Sequence, residues 1–330
     1  MIKYLLAVLI SFSVGMIIAP FIIKLIKRMN ARQTILQYVQ QHEAKQGIPT
    51  MGGSIFILAT AFTVLVLDGA NNSFCLFAML VMLSYGILGF LDDFLKVALK
   101  RNLGLRSYQK IISQFLIALI ASYFAYKNRY VGTAVNIPIF NILIDFKWWY
   151  LPFSVFIYIA LTNSVNLTDG LDGLSGNVCC VYFAVYFVVA YMEMTNANDL
   201  GRTLYAKEIS GLLIFIGALI GGLTAFLWHN SFKAKIIMGD MGSMALGGCG
   251  AMVAMLTKNP FLILLAGIMF VVSSISVIIQ VIIFKLKRKR VFLMAPFHHH
   301  MELKGIPEPK IVSYYTIITF IGGVISLIVM

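Results

Sequence analysis

Two adjacent carboxylates close an apolar run in Gly89-Phe-Leu-Asp92-Asp93-Phe-Leu-Lys96. Neighbouring acids repel, and each raises the other's pKa unless a proton or a cation intervenes. At the C-terminal end of a helix they also meet the negative end of its dipole, so convenience of structure does not explain them. A divalent metal would relieve the repulsion. A second polar cluster follows another apolar run, in Asn163-Ser-Val-Asn166-Leu-Thr-Asp169-Gly170-Leu171-Asp172-Gly173. Asn163, Asn166 and Asp169 recur at i, i+3 and i+6, roughly one face of a helix if the helix persists. The repeated Asp-Gly is also a turn signal, but a turn alone leaves two amides and two acids unexplained. Amides and carboxylates suit a hard cation and the donor and acceptor edge of a uracil.

Three further stretches carry chemistry. Met238-Gly239-Asp240-Met241-Gly242-Ser243 opens an apolar run. A Gly-rich loop feeding a helix N-terminus presents backbone N–H groups and a positive dipole end to phosphate. Asp240 fits there as an N-cap or as the holder of a metal against that phosphate. Ala295-Pro-Phe-His298-His299-His300-Met-Glu302 places three histidines in succession. Adjacent histidines rarely all ligate one metal, and the run suits anion binding or proton handling better than a zinc site. Lys45-Gln-Gly-Ile-Pro-Thr50-Met-Gly-Gly53 adds a positive point charge and a Gly-permitted close turn.

The elements that position these groups lie in a bilayer. Of 330 residues, 60% are hydrophobic and 12% charged, and the mean hydropathy is +0.89. A soluble domain averages about 25% charged residues. Ten windows are near the ~20 apolar residues of a spanning helix: 3–23, 51–68, 74–91, 109–127, 149–167, 173–192, 209–228, 241–257, 261–284 and 311–329. The first continues past Pro20 without a small-residue cleavage site, so it reads as a retained helix rather than a signal peptide. Gly217, Gly221, Gly222, Gly247, Gly248 and Gly250 mark the seventh and eighth windows as interior, because small residues let helix backbones approach in lipid. The four cysteines lack metal-ligand spacing and read as small core residues.

Numbering the connecting segments alternately puts nineteen of the 26 lysines and arginines on one side, among them Lys45, Lys96, Lys110 and the basic run Lys285–Arg290. The positive-inside rule makes that side cytoplasmic. With ten crossings both termini are then outside. The active groups fall on the cytoplasmic side, while Asp68, Asp145, Glu193, Asp199 and Glu208 scatter over the other. The net charge of +13 therefore reflects topology, anionic lipid and anionic substrate rather than nucleic acid. On the outer side, the alternation near Val135–Ile142 fits a short ribbon or an irregular loop anchored by Trp148 and Trp149. The expectation is a single polytopic domain over residues 1–330, an all-α integral membrane protein with a cytoplasmic cleft. A transporter would instead place polar groups near mid-bilayer and show paired repeats, and neither is present in the sequence.

In this order, Pro49-Thr-Met-Gly-Gly53, Asp92-Asp93, Asn166-Leu-Thr-Asp-Gly-Leu-Asp-Gly173, Met238-Gly-Asp240 and Ala295-Pro-Phe-His-His-His-Met-Glu302 resemble the phospho-N-acetylmuramoyl-pentapeptide transferase family, within the polyprenyl-phosphate N-acetylhexosamine-1-phosphate transferases. The resemblance covers essentially the whole chain. It implies transfer of phospho-MurNAc-pentapeptide from UDP-MurNAc-pentapeptide to undecaprenyl phosphate, giving lipid I and UMP, with Mg²⁺ as cofactor, ten spanning helices and a homodimer. It implies that Asp92, Asp93 and Asp240 are essential acids, that Asp240 (with Asn166) holds the metal, and that His298, His299 and His300 are active-site histidines. It also implies that Lys45, Asn166, Asp169, Asp172 and Asn230 serve the substrate on the nucleoside side, with Thr50, Gly170 and Leu171 as further substrate-binding positions. Lys96 and Lys110 fit the lipid phosphate or stand as topology charges. Ile237 departs from the phenylalanine usual in the family. A sister enzyme moving phospho-GlcNAc is the nearest alternative.

Overall fold

A computed structural model describes residues 1–29, 47–67, 71–99, 104–140 and 142–330. Each of the ten expected windows holds helix. In chain order the helices are α1 (Ile2–Arg28), α2 (Gly53–Val66), α3 (Ser73–Ala98), α4 (Ser107–Lys127), α5 (Tyr150–Thr168), α6 (Leu174–Asp199), α7 (Thr203–Asn230), α8 (Gly239–Leu256), the single turn α9 (Ile263–Ala266), α10 (Ile268–Lys287), the short α11 (Phe297–Leu303) and α12 (Glu308–Ile328). Seven of the described helices are long and apolar enough to cross a membrane: α1, α3, α5 with the turn before it, α6, α7, α10 and α12. The other windows are less plain. α2 has only 14 residues, α8 begins with Gly239-Asp240 and is Gly-rich, and α4 carries Gln109, Lys110, Gln114 and Ser122.

α7 and α8 form the centre. α7 is buried along nearly its whole length, and α8 is buried at every residue from Gly242 to Leu256. A helix apolar on all faces belongs in an interior, and the six glycines expected there are all buried. α1 lies along α7 and buries Tyr4, Ala7, Ser11, Gly15 and Ala19 at three- and four-residue spacing. Its other face leaves Leu5, Leu9, Ile17 and Phe21 exposed. Ile112, Leu116 and Ile120 on α4, Ile278 and Ile282 on α10, and Ile317 and Ile321 on α12 continue that apolar exterior. Such a surface is unstable in water and at home in lipid. This is a multi-pass membrane protein.

Two windows differ from expectation. α3 does not end at the acids but runs on to Ala98, because Lys96 sits one turn beyond Asp92 and pairs with it at 2.6 Å. The window 261–284 is divided: a 3₁₀ turn Pro260–Leu262 and α9 come first, and α10 restarts after Gly267. The ribbon reading of the segment near Val135–Ile142 holds. β1 (Ala134–Ile137) pairs antiparallel with β2 (Ile142–Asp145), with Ala134 opposite Asp145. β1 is fixed to the end of α8 by the Asn136 N–H, which donates to the Lys258 carbonyl at 2.8 Å.

The bundle has two chemically distinct ends. Asp92, Asp93, Asn166, Asp240 and α11 gather at one. At the other, the Tyr4 hydroxyl meets Ser210 Oγ near the start of α7 at 2.8 Å. There too the Ile139 N–H donates to the Val329 carbonyl at 2.7 Å. Both chain ends therefore lie opposite the acids.

Candidate active site

α3 and α8 run antiparallel, and they approach closely where the acids are. Gly89, one turn before Asp92 and Asp93, packs its backbone on the start of α8. A β-carbon there would stand 2.2 Å from the Asp240 carbonyl oxygen. On the other side, Gly53 at the start of α2 meets Gly242, where a β-carbon would lie 2.3 Å from its Cα. The loop before α2 is stitched to the segment before α8 by Ile237 N–H to Pro49 carbonyl (2.9 Å) and Gly52 N–H to Ile237 carbonyl (2.8 Å). The Pro-Thr-Met-Gly-Gly turn thus locates the N-terminus of α8, and with it Asp240.

The result is a cluster in which one oxygen from each of Asp92, Asp93 and Asp240 lies within 4.8 Å of the others. Asp92 and Asp93 are buried. Lys96 Nζ reaches all three carboxylates, at 2.6 Å from Asp92, 3.5 Å from Asp93 and 2.8 Å from Asp240. Lys110, from the first turn of α4, lies 3.0 Å from the same Asp240 oxygen. The remaining Asp240 oxygen accepts from Asn166 Nδ2 at 2.7 Å, and that amide also donates to Ser243 Oγ at 2.8 Å. Asp92 accepts from the Leu105 N–H at 2.9 Å.

The N-terminus of α8 is read differently from the sequence expectation. Asp93 Oδ2 accepts from the Met241 N–H at 3.1 Å, so a carboxylate from α3 takes the position at the positive dipole end that was expected to face phosphate. Asp169, at the C-cap of α5, extends the acidic region. Its surface is half-exposed, yet protein encloses it on most sides. Burial pushes its carboxyl well above the ordinary range, and the charges of Asp240, Asp93 and Asp172 push the same way. Three carboxylates, those of Asp92, Asp93 and Asp240, thus face two lysines.

The other expected residues divide into those at the cluster and those beside it. Thr50 is buried, with its Oγ1 next to Gly239 and near the Asp93 carboxylate. Leu171 is buried, and its carbonyl accepts from the Leu174 N–H, closing the turn into α6. Asp172 accepts from the Ala234 N–H at 3.1 Å. Asn230 accepts from the Gly173 N–H at 3.0 Å and donates to the Ile236 carbonyl at 2.9 Å. These two side chains therefore hold the backbone of the turns around the cleft. Lys45 lies outside the described residues.

The histidines form the start of α11 and point in three directions. His298 is fully buried and packs against Gly170, with its ring 6.2 Å from Tyr315. This contact connects the histidine helix to the Asp169–Gly173 turn. His299 Nδ1 lies 3.0 Å from Glu302. His300 Nδ1 accepts from the Leu293 N–H at 3.1 Å, and burial, then the Lys304 charge, lowers its pKa.

Three participants were not singled out from sequence. Ser243 supports Asn166. Glu308, at the start of α12, accepts from the Asp172 N–H at 2.6 Å. Gln114 holds Asn163 at 2.9 Å and so turns that amide away from the acids. Ser243 had a signal, one helical turn after Asp240. Glu308 and Gln114 had none, because the contacts join distant parts of the chain.

A multi-pass helix bundle that gathers three carboxylates and two lysines at one end has the charged, polar site expected of a membrane-embedded enzyme. Residues 74–258 match the glycosyl transferase family 4 profile. Over 320 residues the chain is 42% identical to the phospho-N-acetylmuramoyl-pentapeptide-transferase of Clostridium perfringens (strain 13 / Type A), covering 97% of this chain and 96% of that one. It is 41% identical over 326 residues to the protein of the same name from Caldanaerobacter subterraneus subsp. tengcongensis, with 98% of both chains covered. With that of Thermoanaerobacter sp. (strain X514) the identity is 42% over 325 residues, again covering 98% of each. The chain belongs to the phospho-N-acetylmuramoyl-pentapeptide-transferase family.

Proposed function

We propose that this protein transfers phospho-MurNAc-pentapeptide from UDP-MurNAc-pentapeptide to undecaprenyl phosphate, yielding lipid I and UMP, the first membrane step of peptidoglycan synthesis. The observation that carries the reading is the convergence of Lys96 and Lys110 on Asp240 beside Asp92 and Asp93, at one end of the bundle. Joining two phosphate-bearing substrates needs cations, and these lysines are placed to exchange a carboxylate partner for a phosphate oxygen.

The donor set fits magnesium. Three carboxylates in mutual reach are hard oxygen donors of the kind that ion takes, and Asn166, whose Nδ2 donates to Asp240, carries an amide oxygen on the same side chain. Asp240 and Asn166 are the ligands in this reading, with Asp92 and Asp93 adjacent. When bound, the ion supplies neutralisation of the charge that develops on the departing UMP. Asp92 or Asp93 orients the acceptor phosphate for direct attack or takes up its proton. Thr50, Asp169, Gly170 and Leu171 line the nucleoside side, and Asp172 and Asn230 act there through the turns they hold. Lys45 is assigned to the same pocket on the family resemblance. His298, His299 and His300 border it. The cleft faces the cytoplasm of a bacterial plasma membrane, a reading supported by the asymmetry of lysine and arginine. The family resemblance adds a homodimer.

The test is UMP release by detergent-purified protein given undecaprenyl phosphate, Mg²⁺ and either UDP-MurNAc-pentapeptide or UDP-GlcNAc. Release with the pentapeptide substrate alone, lost on adding a chelator and restored by Mg²⁺, is the expected result. Release with UDP-GlcNAc alone moves the protein to the sister activity, and release that survives chelation removes the metal.

A further inference from the structure

A cavity of about 800 Å³ opens at the end of the bundle opposite the acids. Its lining includes Arg129, Tyr130, Glu193, Arg202, Tyr205 and Lys258. α8 joins the two regions, with Asp240 at its first turn and Lys258 just past its last. Eighteen helical residues place them roughly 27 Å apart.

The charge of this cavity is unusual for its location. The outer segments carry only seven lysines and arginines, and three of them meet here. The one acidic side chain in the lining, Glu193, accepts from the Tyr205 hydroxyl at 2.9 Å, and Met330 adds the chain's terminal carboxylate. Among the described residues, no carboxylate lies within ion-pair distance of Arg129, Arg202 or Lys258. Arg129 instead donates to the Tyr130 hydroxyl and lies over that ring at 4.5 Å. Tyr130 stacks on Tyr205 at 5.6 Å, and Lys258 Nζ lies 5.9 Å from the Tyr205 centroid. Helix C-termini favour cations, but that preference is met by a side chain reaching into solvent, not by three converging on one cavity.

Lys258 is also held in place. Its backbone has a left-handed φ of 58°, costly for a residue with a β-carbon. Its N–H donates to the Met255 carbonyl at 3.1 Å and its carbonyl accepts from Asn136 at 2.8 Å. Asn259 fixes the next position, donating its N–H to the Ala254 carbonyl and accepting from Asn136 Nδ2 at 2.9 Å. The lysine is half-buried, and burial lowers its pKa, with the Arg202 charge acting the same way and Glu193 against it. A rigid corner thus holds a partly desolvated ammonium against a second cation. The left-handed turn is the C-terminal cap of α8, and what sets the corner apart is the pair of unpaired cations it holds together.

We propose that this cavity binds a phosphate dianion, carried either by a phosphate monoester headgroup of the surrounding lipid or by free inorganic phosphate. Three basic side chains outnumber the Glu193 carboxylate and the terminal carboxylate of Met330, which leaves a net positive charge suited to a phosphate monoester of roughly −1.5 to −2. The cavity is larger than a phosphate alone and leaves room for the ester it bears. The site is separate from the acid cluster, and the reading does not depend on the transferase assignment.

The test uses the full chain in detergent micelles. Native mass spectrometry compares retention of phosphatidic acid, a monoester, with phosphatidylglycerol, a diester, and equilibrium binding of radiolabelled inorganic phosphate is measured alongside. The comparison protein carries Lys258→Asn and Arg202→Gln, asparagine being comfortable in the left-handed conformation. The wild type is expected to retain phosphatidic acid at least about tenfold better than the variant, with UMP release the same in both. Retention that millimolar inorganic phosphate does not displace assigns a lipid headgroup. Bound inorganic phosphate lost in the variant, without lipid discrimination, assigns a soluble phosphate. Equal binding by wild type and variant of every probe overturns the proposal. Should the variant melt early, Arg129→Gln with Arg202→Gln, both at exposed positions, carries the same comparison.

Discussion

Lys96 occupies the centre of the acid cluster, and two predictions follow from its position. The carboxylate oxygens it touches are the ones a divalent ion would use. Two unit charges 4 Å apart interact by about 4 kcal/mol at an effective dielectric of 20, and a divalent ion doubles that. On the proposed magnesium site, the ammonium and the metal would therefore compete. Lys96→Met is expected to raise the affinity of substrate-free protein for Mn²⁺ by about tenfold, read by electron paramagnetic resonance titration, while lowering turnover because a phosphate partner is gone. Mn²⁺ affinity no higher than wild type would show that lysine and metal do not share these oxygens. Asp240 bears the densest set of contacts, to Lys96, Lys110 and Asn166. Asp240→Asn should cost turnover at least the roughly 10²–10³-fold typical of losing one electrostatic group at a reaction centre. Its thermal unfolding in detergent should stay within a few degrees of wild type, since α8 is buried by its apolar residues. Near-normal UMP release by this variant would remove Asp240 from the site.

At the scale of elements, the geometry depends on how closely α8 can approach α3. Gly89→Ala would set a β-carbon 2.2 Å from the Asp240 carbonyl oxygen and 2.6 Å from Met241 Cα, both backbone atoms that cannot swing aside. The start of α8 must then retreat, and a displacement of about 1 Å is enough to cost on the order of 10²-fold in rate. Gly86→Ala, one turn earlier, meets first the Ile57 Cδ1 at 3.1 Å, the end of a flexible side chain, so it should cost far less. Comparing UMP release and melting temperature of the two variants checks this; equal losses would mean that general packing, not the α3–α8 approach, is being measured. The helices themselves were legible because apolar runs of membrane length have few other readings. The end of α3 was not: counting apolar residues stops at Asp92, whereas the helix continues on the Asp92–Lys96 pairing. Asp92, Asp93 and Asp240 were legible as misplaced acids, each strange for its own segment. That Lys96 unites them, that Asp93 rather than phosphate caps α8, and that Gln114 draws Asn163 away are contacts across 49 to 148 residues of chain. No local pattern encodes them.

At the scale of the whole molecule, the two ends carry different chemistry, and the path of the chain relates them to its termini. Tyr4 meets Ser210, and Val329 meets Ile139, at the end holding the ribbon and the basic cavity, so residues 1 and 330 both lie opposite Asp240. This internal relation holds whichever way the bundle sits in the bilayer. Orientation comes from a separate property, the nineteen lysines and arginines that alternate numbering of the connecting segments assigns to one side against seven assigned to the other. Each basic residue retained on the cytoplasmic side opposes inversion. Together they predict that alkaline phosphatase, which folds only outside the cytoplasm, will be active when fused after Met330 and inactive when fused after Arg290, in the basic segment between α10 and α11. The opposite pattern would place the acid cluster outside, where a nucleotide-linked substrate is not supplied, and the proposed reaction would fail with the topology. Activity in both fusions would mean an even number of crossings between the two points, so that α12, the one long helix between Arg290 and Met330, does not span the bilayer.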